Sequence, residues 1–408
     1  MSTFSTPASR ARDEAARRAR VSSRARSRRR LVAAGFGAGL VVGLVAGAAI
    51  AAGVVVGAKE GWADGDNVDA PAEGTPGGHA RPAERITLAF AGDIHFENHL
   101  APLARDPHSL AELRDGLGSA DLAMANLETA LTERGSPYPG KPFTWRAPAS
   151  ALRAVAGAGV DVVSMANNHA VDFGSVGLED TLAARAASPI PVIGIGRDAD
   201  EAFAPWITEV RGVKVAFLTA SQIVEETLTY NAAGPLKPGI ASAIPRDRLL
   251  REVRTAREEA DVVVVYMHMG AEGYTCPGDA AIETAAALEA AGADVILGDH
   301  AHRVNGAGWV GDAYVHYGLG NFVYYMSSEP AGHTGVLTVT VDVPATDGSE
   351  GADAPRPRPD RPLVTDADWD AMLIEGDGIP RRQDAYTTQR LQQTFEAARE
   401  CTPARATP

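Results

Sequence analysis

Side chains that can bind metal ions recur at five places along the chain, each directly after a short apolar run. These places contain Asp93 with His95, Glu128, Asn168 with His169, His268, and His300 with His302. Carboxylates, neutral imidazoles and amide oxygens together suit a pair of divalent cations about 3.5 to 4 Å apart, which can activate a water molecule for hydrolysis. A single histidine after a strand is usually structural, but five such places predict a metal site. Mn, Zn and Fe are the ions that fit imidazole and carboxylate ligands.

The apolar runs predict buried strands, and stretches of helical periodicity alternate with them. The predicted strands cover residues 86–91, 121–125, 160–165, 213–219, 262–267, 295–297, 314–317 and 335–343. The clearest predicted helices cover residues 149–156, 178–187, 246–259 and 280–291. This alternation is typical of an α/β domain, in which functional side chains gather at the carboxyl ends of the strands. We therefore expect the five places to lie together at one edge.

The first 58 residues predict the cellular location. Residues 1–30 carry ten arginines and two acidic residues, so the rest of the chain has a net charge of −22. Residues 31–58 contain no charged side chain, and a helix of that length rises ~42 Å, enough to cross a hydrocarbon core of ~30 Å. Because the arginines precede the apolar segment, we expect a single-pass membrane anchor with the basic segment in the cytoplasm and the remaining chain outside. A cleaved export signal is the alternative interpretation.

Composition divides the remaining chain into four parts. Residues 59–84 are rich in Gly, Pro and acids, which predicts a flexible linker. Residues 85–343 hold the α/β domain, and residues 344–362 carry five prolines, which predicts a linker or surface insertion. Residues 363–408 predict a C-terminal extension that packs on the domain and contains a helix over 386–399. The acidic net charge beyond residue 30 argues against a nucleic-acid partner.

Six sequence blocks resemble, in order and type, those of the CapA family of poly-γ-glutamate capsule synthesis proteins over about residues 86–343. The blocks are Gly92-Asp93, Asn126-Leu127-Glu128, Asn167-Asn168-His169 with Asp172 and Gly174, His268-x-Gly270-x-Glu272, Gly298-x-His300-x-His302, and Tyr317-Gly318-Leu319-Gly320-Asn321-Phe322. The order of potential ligands also resembles that of calcineurin-like metallophosphoesterases. This resemblance implies a metallophosphatase-like sandwich of two β-sheets flanked by helices.

The resemblance also implies roles for individual residues. Two divalent metal ions are expected, the first held by Asp93, His95 and His302 and the second by Asn168, His268 and His300. Glu128 is expected to bridge them, in a segment where the phosphoesterases normally have an aspartate. His169 is expected to act as a general acid toward the leaving group, and Asp172 to orient its imidazole.

Four further residues are expected to contact the substrate. Lys141 and Arg146 lie in a Gly- and Pro-rich loop, residues 135–148, which combines cations with aromatic side chains and is suited to an acidic polymer. The alternative is a structural loop whose Phe143 and Trp145 fill the core. Glu272 and Asn321, which belong to the blocks shared with the family, complete the expected set.

The resemblance implies action on an anionic cell-envelope polymer, in the assembly, release or attachment of poly-γ-glutamate. The expected activity is metal-dependent hydrolysis of a phosphoester or amide bond. The expected partners are the membrane, through the anchor, and subunits of a capsule synthase. The rival interpretation is a polymer-binding or scaffold subunit that keeps the fold without turnover.

Cys276 and Cys401 are the only cysteines in the sequence. In an oxidising compartment they can form one disulfide, which would hold the C-terminal tail near the site. Because the closed loop is long, such a bond would stabilise the fold by about 4 kcal/mol in the chain-entropy account. Two free thiols are the alternative.

Overall fold

The computed structural model describes residues 80–347, 349 and 354–408, without the side chains of residues 226–228. The predicted basic segment and anchor, and most of the predicted linker, lie outside these described residues. Among the helices that the structure describes, none is long and apolar enough to span a bilayer.

Eighteen strands and eight α-helices make up the described part of the chain. The strands are β1 (Glu84–Ile94), β2 (Leu122–Leu127), β3 (Ala130–Leu131), β4 (Arg146–Ala147), β5 (Val162–Ser164), β6 (Val192–Ile193), β7 (Ile195–Gly196), β8 (Trp206–Val210), β9 (Val213–Ser221), β10 (Gly239–Ile240), β11 (Val262–His268), β12 (Val295–Gly298), β13 (Ala307–Val310), β14 (Ala313–His316), β15 (Asn321–Val323), β16 (His333–Val343), β17 (Val364–Ile374) and β18 (Pro380–Arg381). The α-helices are Arg114–Leu117, Ala151–Gly157, Gly174–Ala186, Ala199–Phe203, Glu226–Asn231, Asp247–Glu259, Asp279–Ala291 and Ala385–Arg399.

Two mixed β-sheets form the centre of the molecule. The first has the strand order β18-β17-β16-β1-β2-β5-β6, with β15 also pairing with β1, and the second has the order β13-β14-β12-β11-β9-β8. Parallel pairs such as β1 with β2 and β9 with β11 lie beside antiparallel pairs such as β1 with β16. The parallel pairs direct several carboxyl ends to the same edge, which is where the polar residues follow the strands.

The alternation of side chains along the strands builds one core between the sheets and one outside each sheet. In β1, Ile86, Leu88 and Phe90 pack in the core shared by the two sheets, while Ala89 and Ala91 face helices on the outer side. The outer cores are completed by the helices Ala151–Gly157, Gly174–Ala186, Asp247–Glu259 and Asp279–Ala291. The predicted α/β class, with two sheets flanked by helices, is therefore confirmed for the described residues.

The C-terminal extension contributes a strand to the first sheet. β17 pairs antiparallel with β16 over most of its length, from His333 opposite Leu373 to Val341 opposite Val364. The last helix, Ala385–Arg399, packs Leu391 and Phe395 into the core between the sheets. The C-terminal extension and the 85–343 segment thus share one sheet and one core.

Hydrogen bonds made by Arg356 and Arg81 attach the Pro-rich segment to the sandwich. Arg356 is buried, its backbone N–H donates to Asp261 Oδ1 at 2.5 Å, and its guanidinium donates to the carbonyl oxygen of Pro344 at 2.8 Å. Arg81 donates to the carbonyl oxygen of Ala354 at 2.6 Å. Because Asp261 precedes β11 and Pro344 follows β16, these contacts lie at the end of the sandwich opposite the carboxyl end of β11.

Two further features bring remote segments to the site. A Cβ atom at Gly92 would lie 1.9 Å from the carbonyl oxygen of Gly320, so only glycine permits the close approach of the segment that enters β15. A disulfide joins Cys276 to Cys401 with a Cα–Cα distance of 5.6 Å and a sequence separation of 125 residues. It links the loop after β11 to the end of the last helix.

Candidate metal centre

The carboxyl ends of β1, β2 and β11 place a carboxylate, an amide and an imidazole side by side. Asp93 lies in register with Asn126 of β2 and with Asn321 of β15. Asn126 Nδ2 donates to Asp93 Oδ1 at 2.9 Å and lies 3.4 Å from Nδ1 of His268, the last residue of β11. The two sheets therefore meet at this edge, as expected from the positions of the polar residues in the sequence.

Four groups of three side chains have ligand atoms close enough to hold a metal ion. Within each group the atoms lie within 4.8 Å of one another. The groups are Glu128, His268 and His300; Asp93, Glu128 and His302; Asp93, His268 and Asp299; and Glu272, His300 and His302. The first two groups share Glu128, so the structure brings five of the seven predicted ligands together with Glu128 between the two groups.

Glu128 is a buried carboxylate for which the fold supplies no donor. Its side chain is fully buried, and neither oxygen has a hydrogen-bond partner among the described residues. His268 Nε2 lies 3.3 Å and His169 Nε2 lies 4.0 Å from Oε1. Burial raises the pKa of Glu128 well above its usual range, and the neighbouring Asp93 raises it further. Buried carboxylates are ordinarily paired or bound to metal ions, so this residue fits a cation.

The atoms around His268 Nε2 are oxygens and a ring nitrogen that can act as metal ligands. Burial lowers the pKa of His268 well below its usual range, with His300 adding to the shift, so the ring is neutral. Its Nδ1 lies 2.6 Å from Asp299 Oδ1, and an ionised Asp299 accepts the ring proton there. Nε2 then carries a lone pair, yet it lies 2.6 Å from Asn168 Oδ1 and 3.1 Å from His300 Nδ1. Such a convergence of lone pairs fits a positive ion.

Asn321 holds His302, the one imidazole in the group of Asp93, Glu128 and His302. His302 Nδ1 lies 2.8 Å from Asn321 Oδ1 and 3.1 Å from Asp93 Oδ2. Asn321 is fully buried, and its Nδ2 donates to the carbonyl oxygen of Ala331 at 2.9 Å. The structure thus places Asn321, expected at the substrate, behind His302, where it orients the ring.

His95 belongs to none of the four groups of described residues. Its Nδ1 accepts the backbone N–H of Glu97 at 3.0 Å, and its ring stacks on Trp145 at 4.6 Å and meets the edge of Tyr324 at 4.2 Å. Nε2 is buried without a hydrogen-bond partner in the described structure. Three aromatic rings, those of Trp145, Tyr324 and Tyr325, thus surround the His95 imidazole.

His169 belongs to a chain of hydrogen bonds beside Glu128. Its Nδ1 lies 2.5 Å from Asp172 Oδ2, and Lys141 Nζ donates to Asp172 Oδ1 at 2.7 Å. Burial raises the pKa of Asp172 to about 6, while Lys141 opposes this shift, so the carboxylate is ionised at neutral pH. Burial, with Lys141, lowers the pKa of His169 well below its usual range. The neutral ring donates Nδ1–H to Asp172, so its Nε2 is free to accept a proton.

Trp145 holds His169 in position through its ring, which contacts the imidazole, and through its backbone, which binds Asp172. Its ring stacks on the imidazole with centroids 3.6 Å apart and planes 13° apart, and its backbone N–H donates to Asp172 Oδ2 at 2.7 Å. Trp145 is buried between His95 and His169. Of the two interpretations of the 135–148 loop, the structural one holds for Trp145, whereas Phe143 is exposed.

The structure separates the four predicted substrate-binding residues. Lys141 is largely buried and donates to the carbonyl oxygen of Asn168 at 2.6 Å as well as to Asp172, so it acts within the site. Arg146 is exposed, with its guanidinium 4.6 Å from the centre of the Phe173 ring. Glu272 is exposed at the group that contains His300 and His302.

No role was predicted for Asp299, and Trp145 was predicted only to fill the core in the structural interpretation of its loop. Asp299 stands between Gly298 and His300 in one of the shared blocks, and this position was the available signal. Nothing in the local sequence indicates that Trp145 inserts between two histidines, because both rings come from other strand ends.

Comparisons with known proteins agree on one part of the chain. Residues 87–326 match the family model described as "Bacterial capsule synthesis protein PGA_cap". The chain is 29% identical over 254 residues to the capsule biosynthesis protein CapA of Bacillus anthracis, covering 60% of this chain and 61% of that protein. It is 33% identical over 197 residues to a Mycobacterium tuberculosis protein named "Probable polyglutamine synthesis accessory protein", covering 45% of this chain and 50% of that one. The chain thus spans between half and two thirds of the length of these relatives. A solved structure described as a novel phosphatase from Mycoplasma pneumoniae has 15% identity and a TM-score of 0.42, covering 75% of this chain and 99% of that chain.

Proposed function

Because the chain belongs to the family of bacterial capsule synthesis proteins, we propose that it is a metal-dependent accessory hydrolase of capsule polymer synthesis. The observation that carries this proposal is the buried Glu128 carboxylate, whose two oxygens lack donors between two groups of potential ligands. A scaffold with no need of a metal ion would gain nothing from an unpaired buried charge of this kind.

The residues present fit two divalent cations. Glu128 would be shared, Asp93 and His302 would hold one ion, and His268, His300 and the Asn168 amide oxygen would hold the other. Asp299 would keep His268 in the tautomer that leaves Nε2 unprotonated. When bound, such ions polarise the group under attack and lower the pKa of a coordinated water molecule.

The proton transfers are assigned to His169. Its neutral ring keeps Nδ1–H on Asp172, so Nε2 can accept a proton from the attacking water molecule and later release it to the leaving group. Protonation of the leaving group is thus the general-acid role expected from the sequence, reached after the ring has taken up a proton. Lys141 and the Trp145 backbone hold Asp172 in place during both transfers.

The proposed substrate is an anionic polymer of the cell envelope with γ-glutamyl amide bonds. This assignment is supported by the names of the relatives, which refer to capsule biosynthesis and to polyglutamine synthesis. We further propose that residues 31–58 anchor the protein in the membrane with the domain outside, beside subunits of a capsule synthase. Reporter fusions after Arg85 test this placement, and activity of a cytoplasmic reporter at that position would contradict it.

The hydrolase proposal is tested on the full-length protein, purified, freed of metal by chelation and then supplied with Mn, Zn or Fe. Metal content per chain and hydrolysis of poly-γ-glutamate, a phosphodiester and a phosphomonoester are measured for the parent and for Glu128→Gln. We expect the parent to bind metal and cleave the γ-glutamyl polymer, and Glu128→Gln to lose both properties. A metal-free parent under these conditions, or a metallated one with no turnover on any substrate, would favour the scaffold interpretation.

A further inference from the structure

The proposed chemistry does not explain a surface cleft whose lining includes the residues that directly follow His95 and Trp145 in sequence. It has a volume of about 330 Å³, and its walls include Phe96, Glu97, Arg105, Glu133, Arg146 and Pro148. This volume falls within the range of about 300–1,000 Å³ that is usual for ligand pockets. We refer to it as the Arg146 cleft.

The Arg146 guanidinium has no carboxylate partner among the residues that the structure describes. Its side chain instead rests on the ring of Phe173, with Cζ 4.6 Å from the ring centre, while its backbone N–H donates to Glu97 Oε1 at 2.7 Å. The backbone bond fixes the position of the residue without neutralising the side chain. A planar cation held in this way presents its N–H donors to a ligand.

Arg105 can supply a second cation. It pairs with Glu133 at 3.0 Å, and both side chains are about two thirds exposed. An exposed ion pair of this kind contributes little to stability, so Arg105 can exchange its partner for a ligand carboxylate at small cost. The cleft therefore offers two guanidinium groups above an apolar wall that includes the buried Phe96.

The backbone connects the cleft directly to the proposed catalytic residues. Arg146 follows Trp145, whose ring stacks on His169, and Glu97 follows two residues after His95. The cleft and the proton-transferring imidazole are therefore linked through the segments 95–97 and 145–146. This arrangement suits a polymer that is held at one repeat while a neighbouring repeat is cleaved.

We propose that the Arg146 cleft is a binding subsite for a γ-linked glutamyl segment of the polymer. Arg146 binds the free α-carboxylate of one residue, with Arg105 available for the next carboxylate. The two methylene groups of each γ-linked residue pack against Ala101 and Pro148, and the Glu97 and Glu133 carboxylates can accept amide N–H groups. The inference rests on the proposed function for its substrate class. Because the chain beyond residue 30 carries a net charge of −22, local cations of this kind are needed to hold a polyanion.

The test measures binding by the metal-free full-length protein, so that turnover plays no part. The probes are a γ-linked glutamate hexamer and, separately, polyphosphate, in a calorimetric titration at two salt concentrations. The variants are Arg146→Gln, Arg146→Lys and Arg105→Gln, with Arg153→Gln as the charge-matched control, since Arg153 is exposed on the helix Ala151–Gly157 and does not line the cleft. Melting temperatures confirm that each variant is folded.

We expect Arg146→Gln to weaken hexamer binding tenfold or more, Arg105→Gln to weaken it less, and Arg153→Gln to leave it within twofold of the parent. Arg146→Lys should recover part of the loss, because it restores the charge but not the paired donors. Equal effects of Arg146→Gln and Arg153→Gln would overturn the subsite. Polyphosphate binding with the same dependence on Arg146 would overturn its selectivity for carboxylates.

Turnover separates this inference from the hydrolase proposal. If the metallated parent cleaves the polymer, Arg146→Gln should raise KM and leave kcat within about twofold. If it cleaves nothing but the hexamer still binds through Arg146, the hydrolase proposal fails and the subsite stands. If cleavage proceeds with an unaltered KM in Arg146→Gln, the subsite fails and the hydrolase proposal stands.

Discussion

Replacing Glu128 by methionine should stabilise the metal-free protein. The Glu128 carboxylate is fully buried, and neither oxygen has a hydrogen-bond partner in the described structure. Leaving a buried polar group unsatisfied costs about 1–3 kcal/mol, and more for a charged one, whereas an apolar group of similar shape removes that penalty. Methionine is unbranched, adaptable and similar in length. We therefore expect Glu128→Met to raise the free energy of unfolding by about 1–3 kcal/mol when metal is absent.

The pH dependence gives this prediction a definite sign. The pKa of Glu128 is raised in the folded protein, mainly by burial and then by Asp93, so the folded state binds a proton more tightly than the unfolded state. This tighter proton binding stabilises the folded state fully below the unfolded pKa of about 4.5. The stabilisation is lost as pH rises toward the pKa of Glu128 in the folded state. The pKa of Asp299 is raised in the same direction. The metal-free parent should thus lose stability as pH rises above 4.5, and Glu128→Met should flatten that decline without abolishing it.

Metal binding should reverse the order of the two proteins. An ion present at one hundred times its dissociation constant stabilises the folded state by about 2.7 kcal/mol. The parent should gain this amount, while Glu128→Met, which lacks the shared carboxylate, should gain much less. Glu179→Met is a suitable control, because Glu179 is 77% exposed and its ion pair with Arg134, at 3.6 Å, lies on the surface. Its stability should change by less than about 0.5 kcal/mol with or without metal.

Urea denaturation of the full-length proteins between pH 5 and 9, in a chelator or in excess Mn or Zn, measures both effects. The reasoning would be refuted by a Glu128→Met protein that is less stable than the parent in the chelator, because the buried charge would then have a partner. It would also be refuted if metal stabilised both proteins equally, because Glu128 would then not be a ligand.

Three further predictions concern other parts of the structure. His169→Ala should retain the metal content of the parent and lose turnover by about 10² to 10⁴-fold, measured by metal stoichiometry and kcat; a metallated variant with unaltered kcat would contradict the proton-transfer role. Cys276→Ser combined with Cys401→Ser should lower the free energy of unfolding by about 2–4 kcal/mol in urea, and an unchanged midpoint would show that the bond does not stabilise the fold. Burial lowers the pKa of His316 to about 3, and its ring nitrogens have no partner in the described structure. The parent should therefore lose stability as pH falls from 6.5 toward 3, whereas the loss should be smaller in His316→Phe, as melting temperatures against pH will show.

The sequence was most informative where a buried strand ends in polar residues. The runs at 86–91 and 262–267 form parts of β1 and β11, because strands buried on both faces are continuous apolar segments. Asp93 and His268 follow within these same strands, so their meeting could be expected from the topology of an α/β domain. The helices at 246–259 and 280–291 were predicted to within one residue because their apolar positions recur at helical spacing.

Other features depend on contacts that no local pattern contains. β17 alternates acidic and apolar residues, with Trp369 and Ala371 turned to the core, but its aspartates are poor strand formers and a Pro-rich segment precedes it. The ring of His95 stacks on Trp145, which enters from a loop 50 residues later, and the sequence around His95 does not indicate this contact. Arg356 stands in a segment expected to be a linker or surface insertion, and its burial depends on Asp261, which is 95 residues away in sequence. Each outcome was decided by a partner that is distant along the chain.

The antiparallel pairing of β1 with β16 bears on how the chain folds during synthesis. Glu84 pairs with Val343 and Phe90 with Leu337. β1 is therefore synthesised about 250 residues before the strand with which it pairs on this side. At a synthesis rate of about 5–20 residues per second, this interval is roughly 12 to 50 seconds. β1 is a central strand, so during that time one side of it has unpaired N–H and C=O groups that favour aggregation. Such non-local pairing is slow to form, and the nascent chain should depend on a chaperone until β16 has emerged.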